Sequence, residues 1–203
     1  MRFASDAPPP ALLVVDVQNG FNQPFWGARN TPQAEDNICR LLDGWRACGA
    51  PVLYAQHLSR FDDSPLRPGQ PGAAIKDVVR PRDGEPVVQK RVNSAFIGTD
   101  LHERLQAEGI TQLVIVGFTT DQCVSTTARM AENLLYDVVV VADATVAHEQ
   151  TDHRGQHVSA DDVHHAALGH LHEEFATIAD TDAVLDALQA ALTGSTTPNQ
   201  APE

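Results

Sequence analysis

The run Leu-Val-Ile-Val-Gly-Phe-Thr-Thr-Asp-Gln-Cys-Val-Ser-Thr-Thr-Ala-Arg-Met-Ala, residues 113–131, constrains this chain more than any other segment. Its first four residues are uninterrupted aliphatics, the pattern of a strand covered on both faces in a parallel sheet. Gly117 is expected to end that strand, and Thr119, Thr120 and Asp121 are residue types that cap helix N-termini. From about residue 122 the spacing of Val124, Thr127, Ala128, Ala131 and Leu135 is helical. Cys123 therefore falls at a strand-to-helix turn, where unpaired N–H groups and the helix dipole favour a thiolate and can hold an oxyanion. The plain alternative is a buried cysteine acting as a small apolar residue.

The same alternation recurs along the chain. Residues 11–16 read as a buried strand ending in a carboxylate, and 33–48 as an amphipathic helix with Ile38, Leu41, Leu42 and Trp45 on one side. Strands at 51–56, 86–89, 138–142 and 175–178 and helices near 99–108, 160–173 and 182–192 complete the order. Strands alternating with helices imply right-handed crossovers. The predicted fold is α/β: a single-domain, mostly parallel sheet of about six strands with helices on both faces, a Rossmann-type three-layer sandwich. A chain of 203 residues has ample length for one such core, placed at 11–192. An extended, proline-rich arm at 1–10 precedes it, and the polar tail 193–203 is predicted to be disordered. The Pro/Gly/Asp-rich stretch 59–85 is too long for a simple connection and is a candidate substrate loop.

Ligands of such sheets bind beyond the carboxyl ends of the strands. Asp16, Lys90 and Cys123 all fall at that edge. A cysteine nucleophile needs a base to take its proton and return it to a leaving group, and Asp16, after Leu-Leu-Val-Val, is the candidate. Lys90 would supply the cation that holds the pair. Each has a structural alternative: a carboxylate capping the turn through Gln18, Asn19 and Gly20, and a solvated surface charge.

Five motifs in order resemble the isochorismatase-like cysteine hydrolases over roughly residues 10–180. They are Val-Val-Asp16-Val-Gln18-Asn-Gly-Phe, Lys90-x-x-Asn93-Ser94-Ala95-Phe96, Gly117-Phe-Thr-Thr-Asp-Gln-Cys123-Val-x-x-Thr126-x-x-x-Ala, Val141-Ala-Asp143-Ala144 and Val163-His164-x-Ala-Ala-Leu168-x-x-Leu171-x-x-x-Phe175. The resemblance implies a catalytic triad of Asp16, Lys90 and Cys123, an oxyanion hole from the backbone N–H groups of Thr119 and Cys123, and a cis peptide between Phe118 and Thr119. It implies attack of Cys123 on a carbonyl carbon, protonation of the departing nitrogen by Asp16, and hydrolysis of a thioester. The expected function is metal-independent hydrolysis of a C–N bond in a small amide, carbamoyl, ureido or lactam compound, with no cofactor. Two alternatives are an isochorismatase-type vinyl ether hydrolase with Cys123 idle, and a catalytically silent member that binds a small ligand. Nicotinamidases of this group carry an Asp-x-His metal motif after the second strand; here His57 and Ser59 stand in those places, so no metal is expected.

Substrate contacts are sought at Phe21, Trp26, His57, Asn93 and Ser94. Phe21, Phe25 and Trp26 could wall an apolar pocket, or serve as core or subunit contacts. His57 could contact substrate or pair with a backbone carbonyl, and Arg67 and Arg91 could meet a substrate carboxylate or lie on the surface. The histidines of segment 148–172 lack ligand spacing, and His164, on the face of Leu168, Leu171 and Phe175, reads as a packed helix residue. A formal charge of −13 argues against nucleic acid and anionic membrane as partners. No apolar run is long enough to span a bilayer, no signal peptide is evident, and three cysteines without a plausible pair point to a reduced, cytoplasmic protein. The resemblance further implies a homo-oligomer, dimer or tetramer.

Overall fold

The computed structural model describes Phe3 and residues 8–194. Its strands and α-helices alternate except between β2 and β3: β1 (Ala11–Val15), α1 (Ala34–Cys48), β2 (Val52–His57), β3 (Val87–Lys90), α2 (Leu101–Ala107), β4 (Gln112–Phe118), α3 (Ser125–Asn133) and β5 (Asp137–Val146). A short antiparallel hairpin follows, β6 (Gln150–Thr151) with β7 (His157–Val158), then α4 (Ala160–Leu171), β8 (Thr177–Ala179) and α5 (Thr181–Gly194). Six strands form one sheet in the order β3-β2-β1-β4-β5-β8, and every neighbouring pair is parallel. The α/β architecture is the one expected, with about six strands and helices on both faces.

Alternate residues of the central strands feed two cores. Leu12 and Val14 of β1, with Val114, Val116 and Phe118 of β4, pack on Ile38, Leu41, Leu42 and Trp45 of α1 and on Val184 and Leu188 of α5. Leu13 and Val15, with Leu113 and Ile115, pack on the opposite side against Leu101, Leu105, Ala128 and Leu171. Strands buried on both faces have no polar alternation to display, which is why they read as plain aliphatic runs. Each of Ile38, Leu41 and Leu42, fully buried, contributes about 1.5–3 kcal/mol. The arm joins this packing: Phe3 lies edge-on to Trp45, and the Trp45 indole donates to the Pro10 carbonyl at 2.7 Å. At the other end, α5 runs to Gly194, and the rest of the predicted tail lies outside the described residues.

The strand order reverses beside β1. From β1 the chain adds β2 and β3 outward on one side and β4, β5 and β8 on the other, so a crevice opens beyond the carboxyl ends of β1 and β4. Gly117 is the correction at this edge. It does not end β4, which continues to Phe118. Gly117 sits within the strand at φ 118°, pressed against β1, where a Cβ would meet the Val15 carbonyl oxygen at 2.0 Å. Only glycine combines that backbone conformation with that approach. β5 also outruns its predicted span by several residues, and a register shift opposite Ile115 and Gly117 accommodates the close passage.

Gly117→Ala is therefore expected to destabilise the fold by about 3 kcal/mol or more, through backbone clash and left-handed strain together. Urea unfolding against wild type checks this, and a midpoint within error of wild type would contradict the reading.

Candidate active site

Three strand ends place the reactive groups. Asp16 leaves β1 with a left-handed backbone, φ 53°, while its N–H still reaches the Ala55 carbonyl at 2.9 Å. Lys90 is the last residue of β3, in register with His57 at the end of β2. Cys123 lies beyond β4 in a π-turn, Thr120–Val124, that precedes α3; the sequence spacing suggested the first turn of an α-helix. The Phe118–Thr119 peptide bond that leads into this turn is cis.

These ends bring Asp16, Lys90 and Cys123 into contact. Lys90 Nζ donates to Asp16 Oδ2 at 2.6 Å, to Cys123 Sγ at 3.2 Å and to the Val92 carbonyl at 3.2 Å, and lies 3.3 Å from His57 Nδ1. The side chains of Asp16 and Lys90 are wholly buried, so Lys90 is no surface charge. Burial pushes the Asp16 carboxyl above its ordinary value, and the adjacent ammonium only partly offsets this. Burial opposes the Lys90 charge, but Asp16 and the Cys123 sulfur outweigh it and hold the ammonium above its ordinary value. Burial first, and the Asp16 carboxylate second, push the Cys123 thiol up. Burial and Asp16 thus oppose the thiolate that the turn position favours at Cys123.

Neighbouring residues fix this geometry. Gln18, fully buried, donates to the carbonyls of His57 at 2.9 Å and Ala73 at 2.7 Å and accepts the His57 N–H at 2.9 Å. It clamps the end of β1 to the end of β2 and to the loop. Thr120 Oγ1 is hydrogen-bonded to His164 Nδ1 at 2.9 Å, and burial depresses the His164 pKa. That bond ties the Cys123 turn to α4. Lys76 and Arg29, both paired with Glu35, lie 4.9 and 5.4 Å from the Phe118 ring.

A cavity of about 390 Å³ opens over Cys123 and Thr119. Phe21, Phe25 and Trp26 line one wall, with Phe21 and Trp26 ring centroids 4.9 Å apart. His57, Arg91 and Asn93 also line it. Ser94 does not: it is buried, and its hydroxyl accepts the Phe96 N–H at 3.3 Å. Arg67 does not either, and its guanidinium faces Asp62 at 3.4 Å. The loop anticipated at 59–85 does supply a wall, but through Arg60, Phe61 and Leu66 rather than Arg67. Nothing in the sequence pattern separated Arg60 from Arg67; the turn that buries Leu66 decides which faces inward. A larger groove of about 510 Å³ lies at the amino-terminal edge, beside Gln112, Asp137 and Thr177, and has no cysteine among its lining residues. In segment 148–172, His148 stacks near Phe21, and His157 Nε2 meets Glu149 at 3.1 Å. Among the described residues, the donors that converge as a metal could require are Asp16, His57 and Cys123, not the histidines of that segment.

Residues 10–183 match the isochorismatase domain model. The chain is 45% identical over 176 residues to the uncharacterized isochorismatase family protein YrdC of Bacillus subtilis, covering 87% of this chain and 94% of that one. It is 28% identical over 214 residues to the ureidoacrylate amidohydrolase RutB of Methylobacterium radiotolerans, covering 87% and 78%. Among solved structures, a protein of the isochorismatase family from Chromobacterium violaceum superposes with a TM-score of 0.89 at 43% identity, covering 94% and 97%. A cysteine hydrolase from Pseudomonas syringae superposes with a TM-score of 0.83 at 27% identity, covering 90% and 93%.

The protonation state has a direct readout. With Cys39 and Cys48 replaced by serine, alkylation of Cys123 by iodoacetamide is expected to be slow at neutral pH and to accelerate only as pH rises well above the ordinary cysteine value. A rate already on its plateau below pH 7 would instead reveal a preformed thiolate.

Proposed function

The chain belongs to the isochorismatase family of hydrolases, and from that premise we propose that it is a metal-independent cysteine amidohydrolase cleaving a C–N bond of a small amide, carbamoyl, ureido or lactam compound. The observation that carries this reading is the contact of one buried ammonium with both a carboxylate and a thiol at the floor of a cavity. In the proposed reaction, Cys123 Sγ bonds to the substrate carbonyl carbon as its proton passes to Asp16. The N–H groups of Thr119 and Cys123 hold the oxyanion. Asp16 then gives the proton to the departing nitrogen, leaving a thioester. Asp16 next takes a proton from water, which attacks the thioester, and the proton returns to sulfur. Lys90 opposes the effect of burial on Asp16 and holds its carboxyl in place. The metal-independent part rests on Lys90 filling the place of a local cation and on Ser59, whose hydroxyl accepts the Phe61 N–H rather than standing as a ligand.

Phe21, Trp26, His57 and Asn93 are the proposed substrate contacts, and the amidohydrolase and cysteine hydrolase relatives favour C–N over vinyl ether cleavage. The chelator-treated protein is expected to turn over at least one member of a panel of small amides, ureas, carbamoyl amino acids and lactams, read by ammonia release and mass spectrometry. Cys123→Ser, Asp16→Asn and Lys90→Met should each lower kcat/KM by about a thousandfold or more. Vinyl ether cleavage that survives Cys123→Ala would sink this reading, as would silence across the panel together with a Cys123 of ordinary reactivity.

The thiols of Cys39 and Cys48 are free, which supports a reducing, cytoplasmic setting. Phe25 and Phe61, 57% and 62% exposed at the cavity mouth, support a homo-oligomer in which a second copy covers them. Sedimentation velocity at micromolar concentration should show a dimer or tetramer; a monomer throughout would exclude it.

A further inference from the structure

His57 takes no proton in the reaction proposed above, yet its ring is drawn into the centre of the site. One donor atom each from Asp16, His57 and Cys123 lies within 4.8 Å of the other two. Carboxylate oxygen, imidazole nitrogen and thiolate sulfur are the ligands of zinc-class ions, and three of them leave a fourth position open. The middle of this set is occupied. Lys90 Nζ stands 2.6 Å from Asp16, 3.2 Å from Cys123 and 3.3 Å from His57 Nδ1. An ammonium is thus surrounded by the donor types that a metal would recruit. Two further features make the set fit an ion. Asp16 Oδ1 is fully buried and has no hydrogen-bond partner among the described residues. The nitrogen of His57 that faces Lys90 is Nδ1, so a ring donor atom already points at the place the ion would take. Zinc–ligand bonds run about 2.0–2.3 Å, so the three donors have only to close by about an ångström around an ion. His57 and Cys123, two of the three donors, also line the cavity, which gives an ion a route to them.

We propose that Asp16, His57 and Cys123 form an inhibitory site for zinc-class divalent ions, which compete with the Lys90 ammonium for its place. On binding, the ion bonds to Asp16 oxygen, His57 Nδ1 and Cys123 sulfur. The thiol proton is released to solvent, and the Lys90 ammonium swings towards the cavity with its charge intact. The ion blocks the nucleophile and serves no catalytic step. Binding stands on the geometry alone; the inhibition that follows from it rests on the hydrolase reading.

The test uses Co²⁺ and Zn²⁺ on the full chain, without substrate. Co²⁺ added to wild type is expected to give a sulfur-to-metal charge-transfer absorption that Zn²⁺ bleaches. Cys123→Ser should abolish that absorption, and His57→Ala should weaken binding about tenfold or more by calorimetry. Lys90→Met, which removes the competing cation, should tighten binding about tenfold or more, with circular dichroism confirming its fold. Proton release on binding to wild type should be close to one per ion and should be lost in Cys123→Ser. The proposal is overturned by absence of the sulfur band, by binding indifferent to His57→Ala (which would place the ion elsewhere on the protein), or by a folded Lys90→Met that binds no better than wild type. If Lys90→Met does not fold, the comparison of wild type with His57→Ala and Cys123→Ser decides. Metal bound as described, alongside silence on the amide panel, would uphold this site while removing the hydrolase reading.

Discussion

The ion pair between Lys90 and Asp16 is the interaction on which the candidate site depends. Taking two charges wholly out of water is costly, and their attraction repays the cost only when the geometry is close and the remaining polar atoms are satisfied. The ammonium meets this condition: it touches a carboxylate, a sulfur and a backbone carbonyl, with an imidazole beside them. The carboxylate does not, because Oδ1 is left without a partner among the described residues. A buried carboxylate with one unsatisfied oxygen is poised to take a proton, and the thiol that carries one lies against the same ammonium. In the proposed reaction, the cost of burying the pair becomes a driving force for proton transfer as the S–C bond forms.

No local segment could hold this arrangement. Asp16, Lys90 and Cys123 are 74 and 33 residues apart along the chain, and what unites them is sheet order. β1 must lie between β2 and β4 for the loop after it to meet both the end of β3, one strand over, and the turn after β4. The tight passage of Gly117 against Val15 draws β4 towards β1 just before the turn that carries Cys123. Gln18 then fastens the end of β1 to His57, and Thr120 fastens the turn to His164. The geometry of the candidate site is thus an outcome of backbone packing, with side-chain hydrogen bonds trimming it at each strand end.

This division explains what could be read in the sequence. Aliphatic runs such as 113–116 and the alternation with amphipathic helices are local signals, and the α/β sheet follows from them. Strand ends rich in polar residues mark the reactive rim for the same reason, since a chain leaving a buried strand has to meet solvent. Three things were not legible. Gly117 looks like a strand terminator because glycine usually is one; only the neighbouring strand shows that it is needed for close approach. The π-turn at Thr120–Val124 has the same residue spacing as a helix start, and its extra residue is visible only in the backbone. Arg60 and Arg67, and Asn93 and Ser94, are pairs of like residues in loops, and which member faces the cavity is decided by loop packing, not by residue type.

The protonation state of Cys123 is the point where local and long-range physics disagree, and the long-range part wins. A position beyond a strand and before a helix favours a thiolate through N–H groups that act over one turn. Removal from water acts on the whole charge, and the Asp16 carboxylate adds repulsion of the same sign. A single lysine between them favours the charged form of both neighbours, Asp16 and Cys123. A divalent metal in that position would stabilise a thiolate more strongly, but by bonding to it, and a sulfur lone pair engaged with a metal is withheld from a carbonyl carbon. An ammonium has no vacant orbital to engage sulfur, and its donors release their hold as the S–C bond forms. In the proposed reaction, a lysine rather than a metal ion among these donors leaves the thiol free to react.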